Sequence, residues 1–170
     1  GFYVAANKTA KPESITFNRI ESSSGTADAA GSVRAVSQFR GSTYFAIYGR
    51  GVEHLDNARS SLAWPNATSS NREVISLLAD GDSRLLIGTA RDGVFTSDGK
   101  TIETESAFDP LKGPAVRAMA RTTDGSLWFG TGSGVFLCAV QGQCNQIVPN
   151  VDSRFLLANS STLNEVWCGT

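Results

Sequence analysis

The residues that carry most acid–base and metal chemistry are scarce in this sequence: 170 residues hold one histidine, His54, and three cysteines. No acid or thiol stands near His54 at a metal-ligand spacing, and nothing nominates Ser and Asp partners for a triad. The expectation is therefore a surface or strand-end histidine, with no metal and no cofactor. An excess of one charge is missing too. Fifteen Lys and Arg face sixteen Asp and Glu for a net charge of -1, and no window gathers the like charges of a basic arm, which argues against nucleic acid as a partner. No apolar run approaches the roughly 18 residues of a membrane span. The opening "GFYVAANKTAKP" has neither the charged nor the apolar region of a signal peptide. A soluble piece is expected, processed or excised because it has no initiator Met, and reaching a membrane only through a missing part of a parent chain. Helical periodicity is nowhere sustained. "GTGSG" follows a strand but opens another strand, so it is no phosphate loop. With 41% hydrophobic residues, the chain can bury about 70% of its unfolded surface without a disulfide scaffold.

What is present repeats. Val33, Val74, Val116 and Phe155 anchor units 41, 42 and 39 residues apart, and twelve positions after each stands Phe45, Leu86, Trp128 or Trp167. "LLIGT", "LWFGT" and "VWCGT" align without gaps, bringing Gly88, Gly130 and Gly169 to one position, while "YFAIY" keeps the strand and loses the Gly-Thr. A Gly-apolar pair follows at Gly51-Val52, Gly93-Val94 and Gly134-Val135, and the chain opens on such a pair, Gly1-Phe2.

Each unit reads as four short strands joined by polar turns, and a period near 40 with four strands is the signature of a β-propeller. The fold class is all-β. Lettering the strands A to D outward, the chain predicts a C-D half-blade over 1–24, blades over about 31–70, 71–113 and 114–151, and an A-B half-blade over 152–170. The two halves are complementary. They close a four-bladed ring or mark the cut edges of a larger one, and the wider ring with self-association is the favoured expectation. Phe45, Leu86, Trp128 and Trp167 are expected as equivalent B-strand positions packed between blades.

"PAVRAMARTTDGSLWFGTGSGVF" and "GVFTSDGKTIETESAFDPLKGPAV" resemble the two-component regulator propeller repeat. That resemblance implies a periplasmic or otherwise extracytoplasmic sensor region of a bacterial signalling protein, binding a ligand or another propeller or protein surface without catalysis. "IGTARDGVFTSDGKT" also resembles the sialidase-like propellers, with an incomplete Asp box. This keeps a carbohydrate-active fragment, hydrolase or lectin-like, as the alternative. Glycosidases need two carboxylates about 5–10 Å apart, which spacing in this sequence does not reveal.

Cys138 and Cys144 flank the turn "AVQGQ" and face each other across a predicted C-D ladder, leaving open a disulfide or two free thiols. Cys168 reads as a small buried hydrophobe. Sequons stand at Asn7, Asn66 and Asn159. Propellers bind ligands at the channel mouth formed by their B-C and D-A loops. There the B-C loops offer Tyr48, Arg50, Arg91 and Asp92, and Arg34, Arg117 and Arg154 stand near the starts of the A strands. Such arginines suit a small anionic ligand or carbohydrate, a carboxylate or sulfated sugar. The competing expectation is a solvated rim paired with Asp and Glu.

Overall fold

The computed structural model describes residues 2–6, 16–22, 32–56, 59–64, 73–140, 142–158 and 165–170. All three sequons fall outside them. The strands are β1 (Phe2–Ala6), β2 (Thr16–Ser22), β3 (Val33–Phe39), β4 (Ser42–Ile47), β5 (Gly51–Asp56), β6 (Arg59–Trp64), β7 (Val74–Asp80), β8 (Arg84–Thr89), β9 (Val94–Ser97), β10 (Ile102–Thr104), β11 (Val116–Arg121), β12 (Leu127–Thr131), β13 (Gly134–Cys138), β14 (Cys144–Pro149), β15 (Phe155–Ala158) and β16 (Val166–Gly169). Three antiparallel four-strand meanders, β3–β6, β7–β10 and β11–β14, form blades I to III, and the hairpin β15–β16 begins a fourth unit. The innermost strands β3, β7, β11 and β15 neighbour one another in turn. This is the propeller arrangement. A single 3₁₀ turn, Ser106–Leu111, interrupts the link from blade II to blade III and buries Phe108 and Leu111.

Each blade alternates its two faces between neighbours. Leu85 and Ile87 of blade II join Phe39, Tyr44, Ala46, Val52 and Trp64 of blade I. Leu86 and Val94 point the other way, into a cluster with Leu127, Phe129 and Phe136 of blade III. A strand shows successive side chains to opposite faces, so one sheet serves two interfaces and no layer needs a polar side.

The same register irregularity follows the first residue of every complete A strand, between Val33 and Ala35, Val74 and Ser76, and Val116 and Ala118. Beside it, the Gly-Thr pairs have distinct tasks. Thr89 Oγ1 donates to Gly93 O at 2.9 Å and accepts from Asp92 N, and Thr131 Oγ1 donates to Gly134 O at 2.8 Å, so each threonine closes its B-C turn. The glycines make room. A Cβ on Gly88 would run into Ser76 Oγ and stand 3.0 Å from Val116 O of the next blade, and one on Gly130 would stand 2.5 Å from Ser153 Oγ.

The registers correct the equivalence of the B positions. Trp128 pairs with Ala120 and Leu86 with Leu78, but their counterpart in blade I is Tyr44, paired with Ser37. Phe45 instead corresponds to Ile87 and Phe129, and clusters with Ile47 and Leu55 away from blade II. The A-B turn of blade I is two residues, Arg40-Gly41, where blade II uses Gly81–Ser83. One residue fewer flips the face. In the fourth unit Trp167 pairs with Leu157, which makes Ser153 rather than Phe155 the counterpart of Val116. Two burial expectations also change: Trp167 is 64% exposed and Cys168 is exposed, while Trp128 is half-buried. Among the described residues β15 packs on β11 and β12 of blade III, and Trp167 lies on the other side of its hairpin.

Arg40 and Gly41 both take positive φ, 48° and 79°, as a two-residue hairpin turn with the strand twist requires. The arginine gains a role from it. Its guanidinium donates to Asp82 O, Asp98 O and Ser83 O, at 2.9, 2.8 and 3.3 Å, fastening blade I to two turns of blade II.

The leading hairpin does not complete the fourth unit. β2 adds parallel to β6 through Glu21↔Arg59 and Ser22↔Ser60, so β1–β2 extends the sheet of blade I and β15–β16 remains a pair. The outer strand β6 offers an unpaired edge that the hairpin occupies.

Cys138 and Cys144 are directly opposed across β13–β14, with Cα atoms 4.0 Å apart, and are joined in a disulfide. Both are buried in the interface of blades II and III. Closing so short a loop restrains the unfolded chain modestly, so replacing both by alanine should cost about 2 kcal/mol. Urea unfolding of the oxidised protein and the double variant measures this, and equal midpoints would show that the bridge contributes nothing.

Candidate functional site

The end of the arc formed by the B-C and D-A loops is held by backbone hydrogen bonds that repeat from unit to unit. Tyr48 N donates to Ser32 O, Ala90 N to Glu73 O and Gly132 N to Ala115 O. These bonds bring most of the expected mouth residues to one rim. Arg34, Arg117 and Arg154 occupy the same place in their units, one residue after the counterparts Val33, Val116 and Ser153. Blade II has Ile75 there.

Their surroundings differ. The Arg34 guanidinium lies 5.2 Å over the Tyr48 ring, an exposed cation–π contact. Arg117 and Arg154 converge from successive units on one carboxylate: Arg117 Nε lies 2.7 Å from Asp152 Oδ1, and Arg154 Nε and Nη2 lie 3.0 and 2.9 Å from Oδ2. Hydrogen bonds from Arg154 and then Arg117 hold the Asp152 carboxyl below the usual aspartate range against its desolvation. Two guanidiniums on one carboxylate leave a positive charge at the surface. Arg91 meets Glu73 at 4.0 Å in an open setting, where such a pair contributes little. Asp92 is exposed, its backbone tied to Thr89. Arg50 does not join the rim cluster, because it pairs with the buried Glu53 of its own blade.

A concavity of about 560 Å³ lies at the opposite end, between the A-B turn of blade II and the A-B and C-D turns of blade III. Arg84 organises it. Its Nε donates to Asp80 Oδ2 at 2.9 Å and its Nη1 to both Glu105 oxygens, at 2.6 and 2.5 Å, and its guanidinium stands 5.5 Å over the Phe108 ring. Burial opposes its charge, but the hydrogen bonds it donates to Glu105 and Asp80, with the attraction of those carboxylates, outweigh that and hold its pKa above the ordinary value. Arg121 of blade III reaches Asp80 Oδ1 at 2.7 Å, so this network ties two blades together. Sequence reading passed over it. Asp80 and Arg84 do flank a Gly-Asp-Ser turn, but the Asp80–Arg121 contact exists only once blades stack.

His54 lies within β5, half-buried, with its ring 6.0 Å from that of Tyr44, rather than at a surface or strand end. Among the described residues no group of three or more His, Cys, Asp or Glu is placed to hold a metal ion, and no helix is long and apolar enough to cross a membrane.

Residues 110–133 match the profile of the family described as Two component regulator propeller. No curated protein matches the chain. Among solved structures, the chain is similar to the extracellular domain of BT3049 from B. thetaiotaomicron, assigned as a hybrid two component system, at 18% identity and TM-score 0.65. That match covers 84% of this chain and 20% of the other. The extracellular domain of BT4673 from the same organism, assigned likewise, gives 18% identity and TM-score 0.66 over 82% of this chain and 20% of that one. Virginiamycin B lyase from Staphylococcus aureus gives 15% identity and TM-score 0.58 over 82% and 48%. The chain thus spans about a fifth of the length of the first two, and at these identities the shared property is the propeller fold.

Proposed function

We propose that this chain, a propeller with a two-component regulator repeat at residues 110–133, is an extracytoplasmic sensing region of a bacterial signal-transduction protein, and that it binds a ligand rather than transforming one. The family match carries the reading. It is supported by the likeness to extracellular domains of signalling proteins and by the Cys138–Cys144 bridge, which suits an oxidising compartment.

The rim is the proposed contact surface, and its surplus charge sets the ligand class. Arg117 and Arg154 share Asp152 and keep donors directed to solvent, so a carboxylate or sulfate can join the cluster by charge-assisted hydrogen bonds. Titration with a uronic acid oligomer and a sulfated disaccharide, followed by calorimetry, tests this. Binding should weaken at least about tenfold in Arg117→Ala/Arg154→Ala, the loss of roughly one charge-assisted contact, and should fade with added salt. Equal affinity in the double variant would remove the rim from the site. Turnover of glycan in a hydrolysis screen would favour the carbohydrate-active alternative.

A further inference from the structure

The cavity around Arg84 is charged where the repeat itself needs no charge. By register, the corner pair Asp80↔Arg84 at the A-B turn of blade II corresponds to Phe39↔Ser42 in blade I. In blade III the same places hold Thr122 and Ser126, where Thr122 N donates to Ser126 O. Arg121 stands at the register of Ala79. All three corners turn the chain, so the charges of blade II serve something other than the hairpin. A half-buried ion network also costs desolvation that its attraction only partly offsets, which an apolar corner of the blade I kind avoids.

The walls of the cavity are held from three sides. Arg40 fastens the A-B turn of blade II by donating to Asp82 O and Ser83 O, and Ser83 Oγ donates to Asp80 O at 2.7 Å. The start of the 3₁₀ turn is fixed by the Arg84–Glu105 bonds and by the burial of Phe108. The C-D turn of blade III, which brings Val140 and Gln143 to the cavity, is closed by the Cys138–Cys144 disulfide. A concavity with tied walls spends little on ordering itself around a ligand, and its roughly 560 Å³ is within the range of small-molecule sites.

Five charged side chains line it, Asp80, Asp82 and Glu105 against Arg84 and Arg121. Asp80 uses both oxygens on the two arginines, and Glu105 uses both of its own on Arg84. One group of each sign remains. The Asp82 carboxylate has no partner among the described residues, and Arg121, its side chain 45% exposed, meets Asp80 through Nε and keeps its Nη donors for other acceptors. Val140, 66% exposed, adds apolar surface.

We propose that this cavity is a ligand site separate from the rim and that it takes a small zwitterion, an amino acid or dipeptide. The carboxylate of the ligand sits on the Nη edge of Arg121, its ammonium group meets Asp82, and its aliphatic side chain lies against Val140. A planar guanidinium edge recognises a carboxylate through two parallel hydrogen bonds. A plain anion would be opposed by Asp82 and a plain cation by Arg121, so the pair selects a molecule that carries both charges.

Calorimetry on the whole chain with the dipeptide Ala-Leu and with free leucine tests this, and the compound that binds names the source. Its N-acetyl and C-terminal amide forms, each lacking one charge, should bind at least about tenfold more weakly, the loss of one charge-assisted contact. Asp82→Asn should weaken the unmodified compound as much and leave the N-acetyl form unaffected, because the two changes remove the same contact. Arg121→Gln should pair with the amide form in the same way. Arg121→Gln also releases Asp80, so Asp82→Asn, at an exposed and unpartnered side chain, is the decisive variant. Arg117→Ala/Arg154→Ala should bind the zwitterion unchanged, which separates this site from the rim. No binding of either compound, binding that survives Asp82→Asn at full strength, or binding lost in the rim double variant overturns the proposal.

Discussion

Phe129→Ala should lower the unfolding free energy by about 3–5 kcal/mol, the range for removing a fully enclosed aromatic ring. Phe129 is 0% exposed and meets the Phe108 ring edge-on at 5.5 Å, within the cluster that joins Leu86 and Leu111 to Val116 and Leu127 of blade III. The loss combines the transfer free energy of the ring with a cavity that stiff sheets on either side cannot collapse. Trp128, one residue earlier on β12, is the larger side chain but only half-buried, so Trp128→Ala should cost less than Phe129→Ala. Chemical denaturation of the two variants orders them, and the reverse order would mean that the blade III–fourth unit contact outweighs the blade II–III core.

Gly88→Ala should destabilise by about 2–4 kcal/mol, combining overpacking with a strained hydrogen bond. The added methyl collides with Ser76 Oγ, which donates to Val116 O at 2.6 Å across the blade boundary, and it stands 3.0 Å from that carbonyl itself. Side-chain movement relieves the first conflict but not the second, because the second partner is backbone. Ser76→Gly on top of Gly88→Ala should therefore restore only part of the loss in a thermal melt. Full restoration would show that blades II and III can move apart by a few tenths of an ångström.

The Gly-Thr pair shows what could be read in advance. Its recurrence at one position identified the B-C hairpins, because a residue whose side chain closes its own turn leaves a local trace that spacing reveals. The disulfide was legible to the same extent, as two cysteines on either side of a short turn. The misalignment of Phe45 shows the limit. A two-residue turn at Arg40-Gly41 keeps the apolar composition of β4 while reversing which side each residue faces, and composition does not carry register. The shift of the last anchor from Phe155 to Ser153 has the same origin.

Contacts between blades were out of reach for a different reason. Asp80 with Arg121, Arg40 with the carbonyls of blade II, and Arg117 with Asp152 join residues 35 to 58 positions apart. None of these pairs has a local signature. The repeat length, the four-strand unit and its turns follow from the sequence alone, since alternation, glycine placement and turn chemistry act over a few residues. The tertiary structure alone decided which face each residue presents, that the leading hairpin lies on β6, that Trp167 and Cys168 are exposed, and where charge collects on the rim. Those outcomes depend on how neighbouring sheets stack and on whether a further sheet is there to stack.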